Sequence, residues 1–102
     1  MNQADRDALA EKTITSVVNT FLGADRIRKI YVNAVENSSG EPALYINIHL
    51  NRSDSSPDIK KRSELQEAIN QALEHVDENR FPYLSIISSH WRANGNEERK
   101  TA

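Results

Sequence analysis

Residues 26–50 read RIRKIYVNAVENSSGEPALYINIHL, and the fold turns on how that stretch is read. Between Arg26 and Glu36, Ile30, Val32 and Ala34 fall on one side of an extended chain and Lys29, Tyr31, Asn33 and Val35 on the other. Asn37, Ser38, Ser39, Gly40, Glu41 and Pro42 then supply a run of turn formers. The alternation resumes in Ala43–Leu50, where Leu44, Ile46, Ile48 and Leu50 share one face and Tyr45, Asn47 and His49 the other. Two period-two runs joined by such a connector predict an antiparallel hairpin whose apolar face needs a cover.

The flanking segments supply that cover. From Asp5 to Leu22 the residues Ala10, Ile14, Val17, Val18, Phe21 and Leu22 recur at helical steps, with Asp5 and Asp7 at the favourable end of the helix dipole and Gly23 as a stop. Beyond the polar segment Asn51–Pro57, the residues Ile59, Leu65, Ile69, Ala72, Leu73 and Val76 return to helical spacing and predict a second helix ending near Asn79. Its start has two candidates: Ser56 with Pro57 at the first helical position, or Ser63 with Gln66 in a Ser-x-x-Gln capping box. Pro82 bars further helix, and Tyr83–Trp91 reads as a third strand with Leu84 and Ile86 on one face and Ile87 and Trp91 on the other. Arg92–Ala102 has no apolar residue larger than alanine, so residues 1–91 are expected to form one domain and residues 92–102 a flexible C-terminal tail.

The order α-β-β-α-β specifies an α+β domain. A right-handed crossover through the second helix sets the third strand parallel to the second, and both helices then pack on one face of a three-stranded sheet. A third strand beside the first would give an antiparallel sheet; beside the second, a mixed one. Composition agrees with a single globular unit: 102 residues, 37% hydrophobic, 27% charged and a net charge of -2. The absence of cysteine excludes disulfides, thiolate metal sites and thiol nucleophiles. With no long apolar run and no basic, apolar N-terminal segment, a cytoplasmic protein with no membrane association is expected.

The topology sorts the charges. Arg26, Arg28, Lys29, Arg52, Lys60, Lys61, Arg62 and Arg92 are predicted to converge on one edge of the sheet, where they would hold an anion or an acidic partner protein. Asp5, Asp7, Glu11, Glu36, Glu41, Glu74, Asp77 and Glu78 collect at the other end. The sheet face away from the helices should carry Tyr31, Asn33, Val35, Tyr45, Asn47, His49, Ile87 and Trp91, an aromatic surface suited to a partner and most simply to a second copy of the chain. Stacked bases are the nucleic-acid alternative for the same aromatics.

Signals for catalysis or cofactors are absent from the pattern. His49, His75 and His90 show no short metal-ligand spacing, and Gly23, Gly40 and Gly95 are isolated, so neither a phosphate loop nor a dinucleotide fingerprint is formed. Ser88 or Ser89 with His90 and Asp54 could be assembled as a hydrolytic triad, but no nucleophile elbow frames them. No cofactor, metal or catalytic residue is expected. The element order is similar to that of KH-like RNA-binding domains, whose Gly-x-x-Gly loop is missing here, and to the C-terminal domain of cation diffusion facilitators, whose ligand pattern is missing.

Arg80–Ser88 forms an Arg-Phe-Pro-x-x-Ser-x-x-Ser run. With Ser-Pro-Asp at Ser56–Asp58 and Leu-Gly-Ala-Asp-Arg at Leu22–Arg26, it resembles small uncharacterised bacterial proteins of about this length, some encoded beside genes for helical HEPN-type proteins. The resemblance implies a toxin-partner role and carries over no catalytic residue. Read physically, Arg80 should cap the second helix's carbonyl end, Phe81 should pack under the sheet and Pro82 should enforce an extended start to the strand. A non-enzymatic interaction module, adaptor or toxin-partner in type and homodimeric, is therefore the leading expectation, a nucleic-acid-associated protein the second and a small enzyme the third.

Overall fold

The computed structural model describes residues 2–51 and 57–88. Helix α1 spans Gln3–Leu22, a short 3-10 turn covers Ala24–Arg26, β1 spans Ile27–Glu36, β2 Pro42–Leu50, helix α2 Ile59–His75 and β3 Phe81–Ser88. β2 lies in the middle, antiparallel to β1 and parallel to β3, so the sheet is mixed and the α+β order α-β-β-α-β holds. Arg52, Asp54, Ser56, Ser89, His90, Trp91 and the segment 92–102 lie outside the described residues.

Local chemistry sets the element ends. Asn2 caps α1 by accepting from the Asp5 N–H at 2.8 Å, which starts the helix two residues before Asp5. Gly23, at φ +96°, closes it by donating to the Asn19 carbonyl, a backbone conformation that a side chain would strain. The N-cap of α2 is at neither expected position. Asp58 is the cap, accepting from the Lys61 N–H at 2.8 Å, so Lys60, Lys61 and Arg62 stand inside the first turn. That helix ends at His75 rather than near Asn79, because Asp77 takes a left-handed conformation at φ +58° and the Glu78 N–H turns back to the Leu73 carbonyl at 2.9 Å. In the hairpin turn the Asn37 side chain accepts from the N–H groups of Ser39 and Glu41, and Gly40 provides the positive φ.

Both helices cover the same face of the sheet. Ala10, Ile14 and Val18 of α1, Leu65, Ile69 and Leu73 of α2, and Leu44, Ile46, Ile48 and Leu50 of β2 form the buried core. The residue Ile59 is 83% exposed and not part of that stripe. It precedes Leu65 by six positions, which rotates it about 120° off the inward line at 3.6 residues per turn. Ile46→Ala opens a cavity under both helices and is expected to cost about 2–5 kcal/mol, read as a lower urea midpoint at constant slope.

Arg80 does not serve as a helix cap but is a buried cross-link. It is 7% exposed, and its guanidinium donates to both Glu78 oxygens at 2.7 and 2.8 Å and to Asp7 of α1 at 2.7 Å. The clamp ties the start of α1 to the α2–β3 connection, and Arg6 approaches Glu78 at 4.0 Å from the same helix. Hydrogen bonding from Arg80 holds the carboxyls of Asp7 and Glu78 below their ordinary range against the opposing effect of burial. Folding therefore favours the ionised forms. Their stabilisation is complete above the unfolded values of 3.8 and 4.5 and is lost as pH falls through the lowered folded ones. Arg80→Met leaves Glu78 enclosed without its main partner and should cost about 3 kcal/mol at neutral pH. The gap from the wild type should narrow on acidification below about pH 4.5, measured by urea unfolding across a pH series.

Candidate functional site

The open face follows from pairing parity. Ile30, Val32 and Ala34 of β1 and Pro82, Leu84 and Ile86 of β3 share the helix-covered side with the buried row of β2, which sends their neighbours to the other side. The register sets those neighbours in rows running β1, β2, β3: Val35, Ala43, Phe81; then Asn33, Tyr45, Tyr83; then Tyr31, Asn47, Ser85; then Lys29, His49, Ile87. Tyr31, Asn33, Val35, Tyr45, Asn47, His49 and Ile87 thus stand where the alternation puts them, and Trp91 lies outside the described residues.

Two residues join the face that the sequence reading left off it. Phe81 is 53% exposed there instead of packing under the sheet, and Tyr83 is beside it. The signal was available: Phe81, Tyr83, Ser85 and Ile87 are in phase, and Pro82 sits inside β3, not before it. Proline is tolerated because β3 is an edge strand and the position points its missing N–H away from β2.

The aromatics form two groups. Tyr45 and Tyr83 stack at 5.0 Å with planes 15° apart, and Phe81 meets Tyr83 edge-on at 4.8 Å. Asn37 of the hairpin turn donates to the Tyr83 hydroxyl at 3.2 Å, which fixes the ring's outer end. Toward the other end Tyr31 meets His49 edge-on at 5.3 Å, with Lys29 Nζ 5.2 Å above the Tyr31 ring. The surface offers planar apolar contact with hydroxyl and amide groups between.

The cations share an end of the molecule without forming one patch. Arg26 and Lys61 line a cleft of about 680 Å³ together with Asp25 and Asp58, so its charge is mixed. Lys61 Nζ lies 4.6 Å over the Phe21 ring, while Arg62 reaches the other way and donates to the Leu84 carbonyl at 3.0 Å. Arg28 and Lys29 are exposed at the start of β1, beside the bulge between Ile27 and Lys29, and Lys60 is exposed on α2. Arg52 and Arg92 lie outside the described residues. At the acidic end, Asp7 and Glu78 are paired by Arg80, which blunts the expected polarity. Among the described residues, no group of three His, Asp or Glu side chains is placed to hold a metal ion. No helix there is long and apolar enough to cross a membrane.

No protein-family model matches the chain, and neither a curated protein nor a solved structure matches it.

The placements of Lys60 and Arg62 give opposite expectations for charge reversal. Lys60→Glu relieves a cation at a helix N-terminus and should stabilise by about 0.3–1 kcal/mol. Arg62→Glu loses the hydrogen bond to the Leu84 carbonyl and should destabilise by about 1 kcal/mol. Thermal or urea unfolding of the two single variants reads the difference in sign.

Proposed function

We propose that this domain is a non-enzymatic protein-interaction module, of the adaptor or toxin-partner type, that self-associates through its open sheet face. The observation that carries this reading is the aromatic group on β2 and β3, where Tyr83 stacks on Tyr45 and meets Phe81 edge-on, on a side of the sheet away from both helices. Burying such rings releases apolar surface at small entropic cost, since each aromatic side chain has few rotatable bonds. Asn33, Asn47 and Ser85 intersperse hydrogen-bonding groups among them, the mixture found where interfaces form and separate. A compact, uncharged aromatic patch also suits a second copy better than a polyanion, because the nearest cation on the face is Lys29 at one end.

Sedimentation equilibrium at tens of micromolar should show particles of two or more wild-type chains. Tyr45→Thr/Tyr83→Thr, which keeps strand propensity, should halve the particle mass. A monomeric wild type, or a double variant of unchanged mass, overturns the reading. A mixed single-stranded oligonucleotide bound tighter than about 10 μM at physiological salt, with log affinity falling by about 0.7 per phosphate contact as log salt rises, puts nucleic acid first instead.

A further inference from the structure

The two edges of the sheet are treated differently. On β3, Pro82 has no N–H, Gln66 Nε2 donates to the Pro82 carbonyl at 3.0 Å and Arg62 Nη2 donates to the Leu84 carbonyl at 3.0 Å. Over Pro82 and Leu84 that edge is occupied by the chain's own helix. Because those carbonyls point away from β2, the parallel ladder turns the backbone groups of Leu44, Ile46 and Ile48 toward β3. The groups of Ala43, Tyr45, Asn47 and His49 then face β1 and satisfy Val35, Asn33, Tyr31 and Lys29. The N–H and C=O groups of Ile30, Val32 and Ala34 are left pointing out of the sheet, and among the described residues no side chain bonds to them.

The side chains along this open edge match a particular occupant. Ile30–Val35 contains no charge, proline or glycine, the composition of a strand that pairs with copies of itself. Charge appears only at the ends, with Arg28 and Lys29 before that run and Glu36 after it. Parallel self-pairing would set like charges against each other. Antiparallel self-pairing sets Arg28 of each chain against Glu36 of the other. We propose that β1 pairs antiparallel with β1 of a second copy about a two-fold axis at Val32, forming a continuous six-stranded sheet. In this register Ile30 faces Ala34 of the second copy, so every outward backbone group of these residues finds a partner.

Edge pairing also sets the two open faces side by side in one continuous surface. The edge contact goes beyond the face reading and stands without it.

The test uses Tyr45→Thr/Tyr83→Thr as the parent, so that the face contact is removed. At about 100 μM the parent should sediment as a dimer. Adding Arg28→Glu or Glu36→Lys should each weaken that dimer about ten- to hundredfold, because both ends of the pairing become repulsive. Circular dichroism should show the fold unchanged, since both side chains are exposed. An equimolar mixture of the two triple variants should recover the parent dimer, as opposite charges then meet at both ends. A parent that sediments as a monomer overturns the edge proposal even where the wild type associates through its face. So does a parent dimer that is insensitive to both charge reversals, or a mixture that stays monomeric. A wild type and parent that sediment as the same dimer support the edge and defeat the face reading.

Discussion

β2 has a neighbouring strand on each side and a row of fully buried side chains beneath both helices, and the rest of the molecule is arranged around that constraint. Leu44, Ile46 and Ile48 are enclosed completely, and each contributes roughly 1.5–3 kcal/mol by leaving water. A strand that buries alternate residues must present the others on the opposite side. Both helices are committed to the core side by Ala10, Ile14, Val18, Leu65, Ile69 and Leu73, so Tyr45, Asn47 and His49 emerge on a face with no helix over it. The open face is thus a consequence of the core. Its composition is not: nothing in the packing of Leu44, Ile46 and Ile48 calls for Tyr45, Tyr83 and Phe81 on the other side.

How much of this was legible depended on which physical signal carried it. The hairpin, both helices and seven of the face residues follow from period, and period is a local property of the chain. Sheet order was not legible, because a right-handed crossover satisfies the chain equally well with β3 beside β1 or β2. Phe81 was missed because Pro82 reads as the strand's boundary, whereas on an edge its missing N–H costs nothing, and Tyr83 because its phase with Ile87 was not followed back to the first residue of the strand. Helix α2 was given the wrong start for a related reason. Ser56–Pro57 and Ser63–Gln66 both look like caps, and only the contact of Asp58 with the Lys61 N–H decides among three local solutions.

The charged residues show why position along the chain predicts location better than role. Lys61 and Arg62 lie about 40° and 60° to either side of Leu65 on the helical wheel, so they continue the inward stripe of α2 past the end of its apolar residues. Their long stems then cover Phe21 on one side and reach the β3 backbone on the other, while the charges stay near water. A sequence reading sees three cations at a helix start and infers an anion site. The structure puts two of them to work closing the fold. Arg80 is the extreme case, since a guanidinium at the end of a helix is a favourable charge anywhere, but here two carboxylates from distant parts of the chain enclose it.

Arg62 and Gln66 also link the core to the edges. α2 covers the sheet and, from the same face, donates through two side chains to the Pro82 and Leu84 carbonyls, so the first half of β3's outer edge is already occupied. α1 lies over the β1 side of the sheet and sends no described side chain to the outward groups of Ile30, Val32 and Ala34. A monomer would gain by placing a charge near Val32, as edge strands commonly do, and the fold would tolerate it because Tyr31 and Asn33 already face solvent. Charge stands instead at the two ends of the run, positive before it and negative after it. That pattern neither strengthens the core nor blocks pairing; what it does discriminate is the direction in which a second strand can lie, and it favours the antiparallel one.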